Sequence, residues 1–123
     1  MSIAYTSRFI DLTPETINNV VNDLLAEIPG CTEVEPALSL YATGKTLNLD
    51  ICISDRWYNV YISPLHQFIR GTKVALSRVE VDEYDPEEAP DGLPYRIPGE
   101  KGDDNFTALI KFVRDRVAHM FYT

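Results

Sequence analysis

Few side chains in this chain are suited to catalysis. Its two histidines, His66 and His119, lie far apart in the sequence, and neither belongs to a nucleophile or metal-binding motif. Cys52 is the one candidate nucleophile, but the nearby carboxylate of Asp50 disfavours the reactive thiolate. Gly44-Lys45-Thr46 lacks the earlier glycine of a phosphate-binding loop. We therefore predict no catalytic residue, no metal site and no cofactor, and the sequence favours a protein that is not an enzyme.

Polar and aromatic residues alternate with aliphatic ones between residues 39 and 63. If the aliphatic set faces the core, the other set forms one face of a sheet, which we call the polar face. Tyrosine and tryptophan supply contact area in protein interfaces and also stack on bases or sugars. The polar face is thus predicted to be a solvated surface, a protein interface or a small-ligand site. The ligand-site alternative uses Tyr41, Asn48, Asp50, Asn59 and Tyr61.

The net charge is concentrated in one segment. Residues 80–105 carry ten acidic and two basic residues, which accounts for the whole net charge of −8. The segment is rich in proline and glycine, yet it also contains aromatic residues, which purely disordered tethers usually lack. It is therefore predicted to be a solvated loop, a partner-binding or nucleic-acid-mimicking surface, or an arm on a neighbouring subunit. The candidate partner-binding residues are Tyr84, Asp85, Glu87, Glu88, Asp91, Tyr95 and Trp57.

Two helices are predicted near the ends of the chain. Thr13 and Pro14 suit the start of the first helix, and Pro29-Gly30 suit its end. The apolar residues between them recur at helical spacing, and a second such stripe begins at Phe106. Asp103, Asp104 or Asn105 can cap the second helix.

Three strands are predicted between Ala37 and Ser63 as an antiparallel meander. A two-residue turn at Gly44-Lys45 and a four-residue loop at 54–57 would place the aliphatic residues on one face, with Leu38 opposite Ile51. Residues 64–71 are predicted to include a helical turn. Lys73–Glu83 is predicted to be a fourth strand with a bulge near Ser77.

The order of these elements predicts the fold class. We expect a single α+β domain over residues 1–123: a two-layer sandwich of a four-stranded, mainly antiparallel meander with the N- and C-terminal helices on one face. A long acidic loop rich in proline and glycine, residues 84–104, is expected before the last helix.

Composition restricts the partners and the compartment. A pI near 4.6 disfavours direct contact with nucleic acid and favours a basic protein partner. No apolar run is long enough to span a membrane, and no signal peptide is evident. Cys31 and Cys52 are predicted to be free thiols. We therefore expect a cytoplasmic protein of a bacterium or a virus-infected cell.

Three functions fit these observations. The first is a small acidic inhibitor of a basic or nucleic-acid-handling protein, of the immunity or phage anti-defence type. The second is a self-assembling module, such as a homo-oligomer resembling dimeric secretion chaperones or a virion assembly subunit. The third is a domain that binds a nucleotide or another small ligand on the polar face. The first is the prediction favoured by the acidic charge.

Overall fold

The structure, a computed structural model, describes residues 2–85, 95–96 and 104–118. These residues form an α+β fold in which an antiparallel sheet carries two helices. The strands are β1 (Ser2–Arg8), β2 (Cys31–Tyr41), β3 (Gly44–Ile53), β4 (Arg56–Ile69), β5 (Thr72–Asp85) and β6 (Tyr95–Arg96). The helices are α1 (Pro14–Glu27) and α2 (Asp104–Phe112), and α2 continues as a π-helix over Val113–Ala118.

The sheet has the strand order β1-β5-β4-β3-β2, and β6 also pairs with β5. The sheet therefore has six strands within the described residues, where four were predicted. β1 was missed because its main contact is with β5, a partner about 75 residues away in the chain, as in the pair Ile3–Val81. Pairing of this kind leaves no local sequence signal.

Helix α1 begins and ends where its sequence predicts. Thr13 is the N-cap, and its Oγ1 accepts a hydrogen bond of 3.1 Å from the backbone N–H of Thr16. Pro14 occupies the first turn, where a missing N–H costs nothing. Gly30, with φ of +82°, turns the chain after the helix into β2.

A single core joins both helices to one face of the sheet. The apolar stripes of α1 and α2 pack with alternate residues of β3, β4 and β5, and the ring of Tyr58 stacks on Phe106 at 6.4 Å between centroids. Arg116 adds ion pairs of 3.1 Å to Asp23 and Glu27, which join the two helices at their exposed sides. The most deeply buried aliphatic side chains are Leu24, Leu47, Leu49, Ile51, Ile53, Val60, Ile62, Val79, Val81, Leu109, Val113 and Val117.

Both predicted hairpin registers were wrong, although the faces were right. The first turn is Ala42-Thr43, so Leu38 pairs with Leu47 instead of Ile51, a shift of four residues. The second turn is Ser54-Asp55, so Ile51 pairs with Tyr58 instead of Val60, a shift of two. Because both shifts are even, no side chain changes face. Leu38 and Leu40 nevertheless lie exposed on the edge strand β2 instead of in the core.

Residues 64–71 continue strand β4 and its turn; the predicted helical turn was wrong. The register of β4 with β5 runs without interruption from Trp57–Tyr84 to Ile69–Thr72, so the predicted bulge near Ser77 is absent from this ladder. Along β5 the apolar residues switch from even to odd positions. The reason is that Val79 and Val81 face the helices, whereas Val74 and Leu76 face away from them where no helix lies.

The predicted loop over residues 84–104 starts and ends within regular structure. Tyr84 and Asp85 close β5, Tyr95–Arg96 form β6, and Asp104 begins α2. Residues 86–94 and 97–103, as well as His119, lie outside the described residues. In the described part of the chain, no helix is long and apolar enough to cross a membrane.

Candidate functional site

The polar face of the sheet brings together residues from four neighbouring strands. Side chains directly opposite one another on antiparallel strands lie about 5 Å apart at Cβ. One such row crosses β2, β3, β4 and β5 through Glu35, Asp50, Asn59 and Asp82. Three of its four members are carboxylic acids, and we call these four residues the acidic row.

Asn59 is the centre of the acidic row. It is only 5% exposed, and its Nδ2 donates at 3.1 Å to the backbone oxygen of Leu49 and at 3.1 Å to Oδ1 of Asp50. Nδ2 also donates to Oδ1 of Asn48. The amide thereby satisfies a backbone carbonyl and fixes the Asp50 carboxylate on the polar face.

Glu35 is placed where its charge is opposed by its neighbours. It is exposed on the edge strand, directly opposite Asp50 and two residues from Glu33 on the same face. A hydrogen bond with the Glu33 carboxyl and the negative charge of Glu33 raise the pKa of Glu35 above its usual range. Glu35 therefore holds a proton more tightly than an isolated glutamate would.

Asp82 ends the acidic row on β5. Its Oδ1 is buried and has no hydrogen-bonding partner among the residues that the structure describes. A buried carboxylate oxygen without a donor is costly, and native proteins rarely keep one without a reason.

A depression of about 420 Å³ lies beside the acidic row on the polar face. Glu80 and Asp82 lie at one side, and Tyr41 and Tyr61 supply aromatic surface. It is shallow and open to solvent, so a side chain presented by a protein fits it better than a small molecule that must be largely enclosed. The other lining residues are Ala37, Ser39, Thr46, Asn48 and Asn59.

The charge of the polar face is uneven along the strands. Its described acids are Glu33, Glu35, Asp50, Glu80 and Asp82. The bases at matching positions, Arg8 and Arg78, lie towards the β4–β5 turn. Arg78 pairs with Glu80 at 3.4 Å, and because the two side chains are 50% and 31% exposed the pair contributes little stability. The middle of the face is therefore strongly negative.

The five residues predicted for the ligand-site alternative do lie on this face. Tyr41, Asn48, Asn59 and Tyr61 line the depression, and Asp50 is hydrogen-bonded to Asn59 beside it. The neighbours predicted for Asp50 were wrong: it lies between Glu35 and Asn59 instead of between Ser39 and Tyr61.

Sequence reasoning missed four acids of the polar face: Glu33, Glu35, Glu80 and Asp82. The signal was present, because Glu33 and Glu35 flank Val34, and Glu80 and Asp82 alternate with the buried Val79 and Val81. They went unassigned because β2 was expected to begin at Ala37, and because residues from Glu80 onwards were counted with the acidic segment.

The residues predicted to bind a partner through the acidic segment are only partly described. Trp57 is half-buried on the polar face, opposite Cys52 and, by strand register, next to Tyr84. Asp85 pairs with Tyr95 across β5 and β6. Glu87, Glu88 and Asp91 lie outside the described residues.

The residues weighed for catalysis do not come together in the described structure. Cys52 is buried, and Cys31 is half-buried with its thiol pKa raised chiefly by burial; both cysteines are free. His66 is exposed on β4. Among the described residues, no group of three or more histidine, cysteine or acidic side chains is arranged to hold a metal ion. No known protein-family model, curated protein or solved structure matches this chain.

Proposed function

We propose that this protein is a small acidic protein-binding module whose partner is a basic protein. The observation that carries the proposal is the acidic row, in which Glu35 faces Asp50 directly and Asp82 follows beyond Asn59 on the same sheet face. Like charges on facing strands destabilise a sheet. A cationic partner removes that cost, so these acids favour the bound state over the free one.

The chemistry of the face supports arginine and lysine as the groups that bind. A guanidinium group donates several hydrogen bonds to carboxylates and also stacks on aromatic rings. The depression offers both features, because Asp82 and Glu80 lie beside Tyr61 and Tyr41. An inhibitor that covers the basic surface of a nucleic-acid-handling protein is the form of this function that we propose, with the acidic segment steering the encounter.

The binding of a fluorescent octa-arginine peptide to the full chain tests the proposal. In the variant D50N/D82N the two carboxylates become amides of nearly the same shape. We expect affinity at low salt to fall about tenfold, since each exposed charge pair is worth up to about 1 kcal/mol. The matched control E15Q/D115N removes two exposed helix charges and should have a much smaller effect.

A third variant separates the two acidic surfaces. D85N/E87Q/E88Q/D91N neutralises the predicted partner-binding acids of the acidic segment and leaves the acidic row intact. If this variant loses the peptide while D50N/D82N binds it as well as the control does, the polar face is not the binding surface and the proposal is wrong.

A small-ligand site is the second candidate function. The observation in its favour is that Tyr41, Tyr61, Asn48 and Asn59 all line one depression. A ligand that binds the native state raises the melting temperature. A thermal-shift screen of nucleotides and metabolites tests this candidate, and a shift abolished by the Y61A substitution would favour it over the protein-binding module.

A further inference from the structure

A two-stranded arm projects from one end of the sheet. The pairing of β3 with β4 ends at Leu47–Ile62, and the pairing of β1 with β5 ends at Arg8–Leu76. Beyond these pairs, β4 and β5 continue alone to the turn at Arg70-Gly71. We call residues 63–76 the arm. From Leu65 to Ile69 it extends about 13 Å, at about 3.3 Å per residue.

The arm closes in a tight turn and has large apolar side chains in solvent. Arg70 and Gly71 have φ of 52° and 80°, the left-handed pair that closes a two-residue hairpin with the twist of its strands. Phe68 is 76% exposed and Ile69 is 50% exposed, on opposite faces of the hairpin near its tip. Paired strands with exposed apolar tips are marginal on their own and mark contact sites.

The charge of the arm is opposite to that of the polar face. Residues 63–76 include Arg70, Lys73 and His66 but neither aspartate nor glutamate. Arg70 and Lys73 are exposed beside Phe68. The chain therefore carries a projecting basic, apolar element at one end of its sheet and a concave acidic, aromatic surface in the middle of the same sheet.

We propose that the arm of one copy docks on the polar face of a second copy. This inference rests on the proposed function, because it takes the polar face as the surface that binds a basic partner and names that partner as the same chain. Arg70 and Lys73 meet the acidic row, and Phe68 packs against the tyrosines of the depression.

Docking of this kind is head-to-tail. The arm and the polar face are different surfaces, so each copy in a docked pair leaves one arm or one face available for a further copy. Such heterologous contacts form rings if the rotation between copies closes, and open chains if it does not. The expected species in solution are therefore closed rings or a concentration-dependent series, instead of a symmetric dimer alone.

Sedimentation velocity of the full chain from about 1 to 200 μM, the range for a micromolar contact, tests the inference. We expect the wild-type chain to form dimers and larger species. R70E/K73E on the arm and E33K/E35K on the polar face should each weaken self-association at least tenfold. K111E/R114E reverses two exposed bases, Lys111 on α2 and Arg114 on the π-helix that follows, and should leave association much less changed than R70E/K73E, although it alters the net charge by the same amount.

Mixing the two variants separates a lost contact from a damaged fold. The E33K/E35K chain keeps its basic arm, which can dock on the unchanged acidic face of the R70E/K73E chain. The R70E/K73E chain has an acidic arm, which can dock on the now basic face of the E33K/E35K chain. An equimolar mixture should therefore recover association that neither variant shows alone. A mixture that stays monomeric, or an R70E/K73E chain that associates like the wild type, overturns the inference.

The peptide experiment shows which of the two proposals fails. If the wild-type chain is monomeric throughout but binds octa-arginine through the acidic row, the proposal of a basic partner stands and the docking of a second copy is wrong. If the wild-type chain does not self-associate, and the D50N/D82N variant binds the peptide as well as the wild type does, both proposals are wrong. If self-association is present, octa-arginine should reverse it, because the peptide and the arm compete for one face.

Discussion

Nδ2 of Asn59 lies 3.1 Å from Oδ1 of Asp50 and 3.1 Å from the backbone oxygen of Leu49. One buried amide thus holds two neighbouring strands together and orients a carboxylate on the polar face. Hydrogen bonds that involve a charged acceptor are stronger than neutral ones. The relationship links the stability of the sheet to the charge that the face presents.

Replacing Asn59 by alanine should destabilise the protein. The change removes the donor and leaves the Leu49 carbonyl without this bond in a buried position, so we expect a loss of about 2–3 kcal/mol in the free energy of unfolding. Urea denaturation measures it. The N48A variant is the control, because Asn48 is less buried and should cost clearly less. Equal losses in the two variants would contradict the central role of Asn59.

The raised pKa of Glu35 predicts how stability changes with pH. The folded state holds this proton more tightly than the unfolded chain does, because the Glu35 carboxyl is hydrogen-bonded to that of Glu33 and because the charge of Glu33 repels a second charge. The resulting contribution to the free energy of unfolding is fully present below the pKa that Glu35 has in the unfolded chain. It is lost as pH rises through the pKa that Glu35 has in the folded state. Above the folded pKa of Glu35, the repulsion from Glu33 opposes folding.

The variant E33Q should therefore lower the pKa of Glu35 towards its ordinary value. NMR titration of the Glu35 carboxyl carbon measures this shift directly, and denaturation across the acidic range should show a weaker loss of stability with rising pH. E15Q is the control, since Glu15 lies on α1 and not on the sheet. An unchanged Glu35 titration in E33Q would show that Glu33 is not the cause of the raised pKa.

The sequence predicted which side chains share a face of the sheet. It was a poorer guide to which residues face each other on neighbouring strands. Face depends only on odd or even position, so shifts of four and two residues at the two hairpins left Leu47, Leu49 and Ile51 in the core. Register depends on the position of the turn, and Gly44 did not mark the central position of the turn as predicted. With φ of +132° it begins β3, after a turn made by Ala42-Thr43.

The arm could not be predicted from alternation of apolar and polar residues. No helix covers it, so neither face of the hairpin needs a continuous apolar set, and Pro64 suggested a break instead of a strand. The acidic row was equally hidden, because Glu35 and Asp82 share a row only through the pairing of four strands. The predicted ligand-site residues were found together since they all come from three consecutive strands.

Gly30 is required by both its conformation and its surroundings. Its φ is +82°, and a Cβ added there would lie 2.6 Å from Oγ of Ser54. The backbone N–H of Ser54 also donates to the Gly30 carbonyl at 3.1 Å, so the two turns are held together. We expect G30A to cost about 1–3 kcal/mol of stability, from left-handed strain plus the close contact.

The double variant G30A/S54A separates these two causes. Removing Oγ of Ser54 relieves the close contact but leaves the strained φ, so the pair should recover part of the stability that G30A loses. Thermal and urea denaturation of the four chains in this cycle give the coupling. Full recovery would show that the contact alone excludes alanine, and no recovery would show that only the backbone conformation matters.

The turn between β3 and β4 is the place where one substitution should stabilise the fold. Ser54 and Asp55 have φ of 50° and 64°, the left-handed conformation required at both central positions of this hairpin. Glycine adopts that conformation without strain, whereas alanine does not. D55G should raise the free energy of unfolding by about 0.5–1 kcal/mol, and D55A should lower it by a similar amount.

Because Asp55 is exposed, the two variants differ chiefly in backbone preference. Urea denaturation of both chains measures the difference, and equal stabilities would show that this turn relaxes out of the left-handed region in solution.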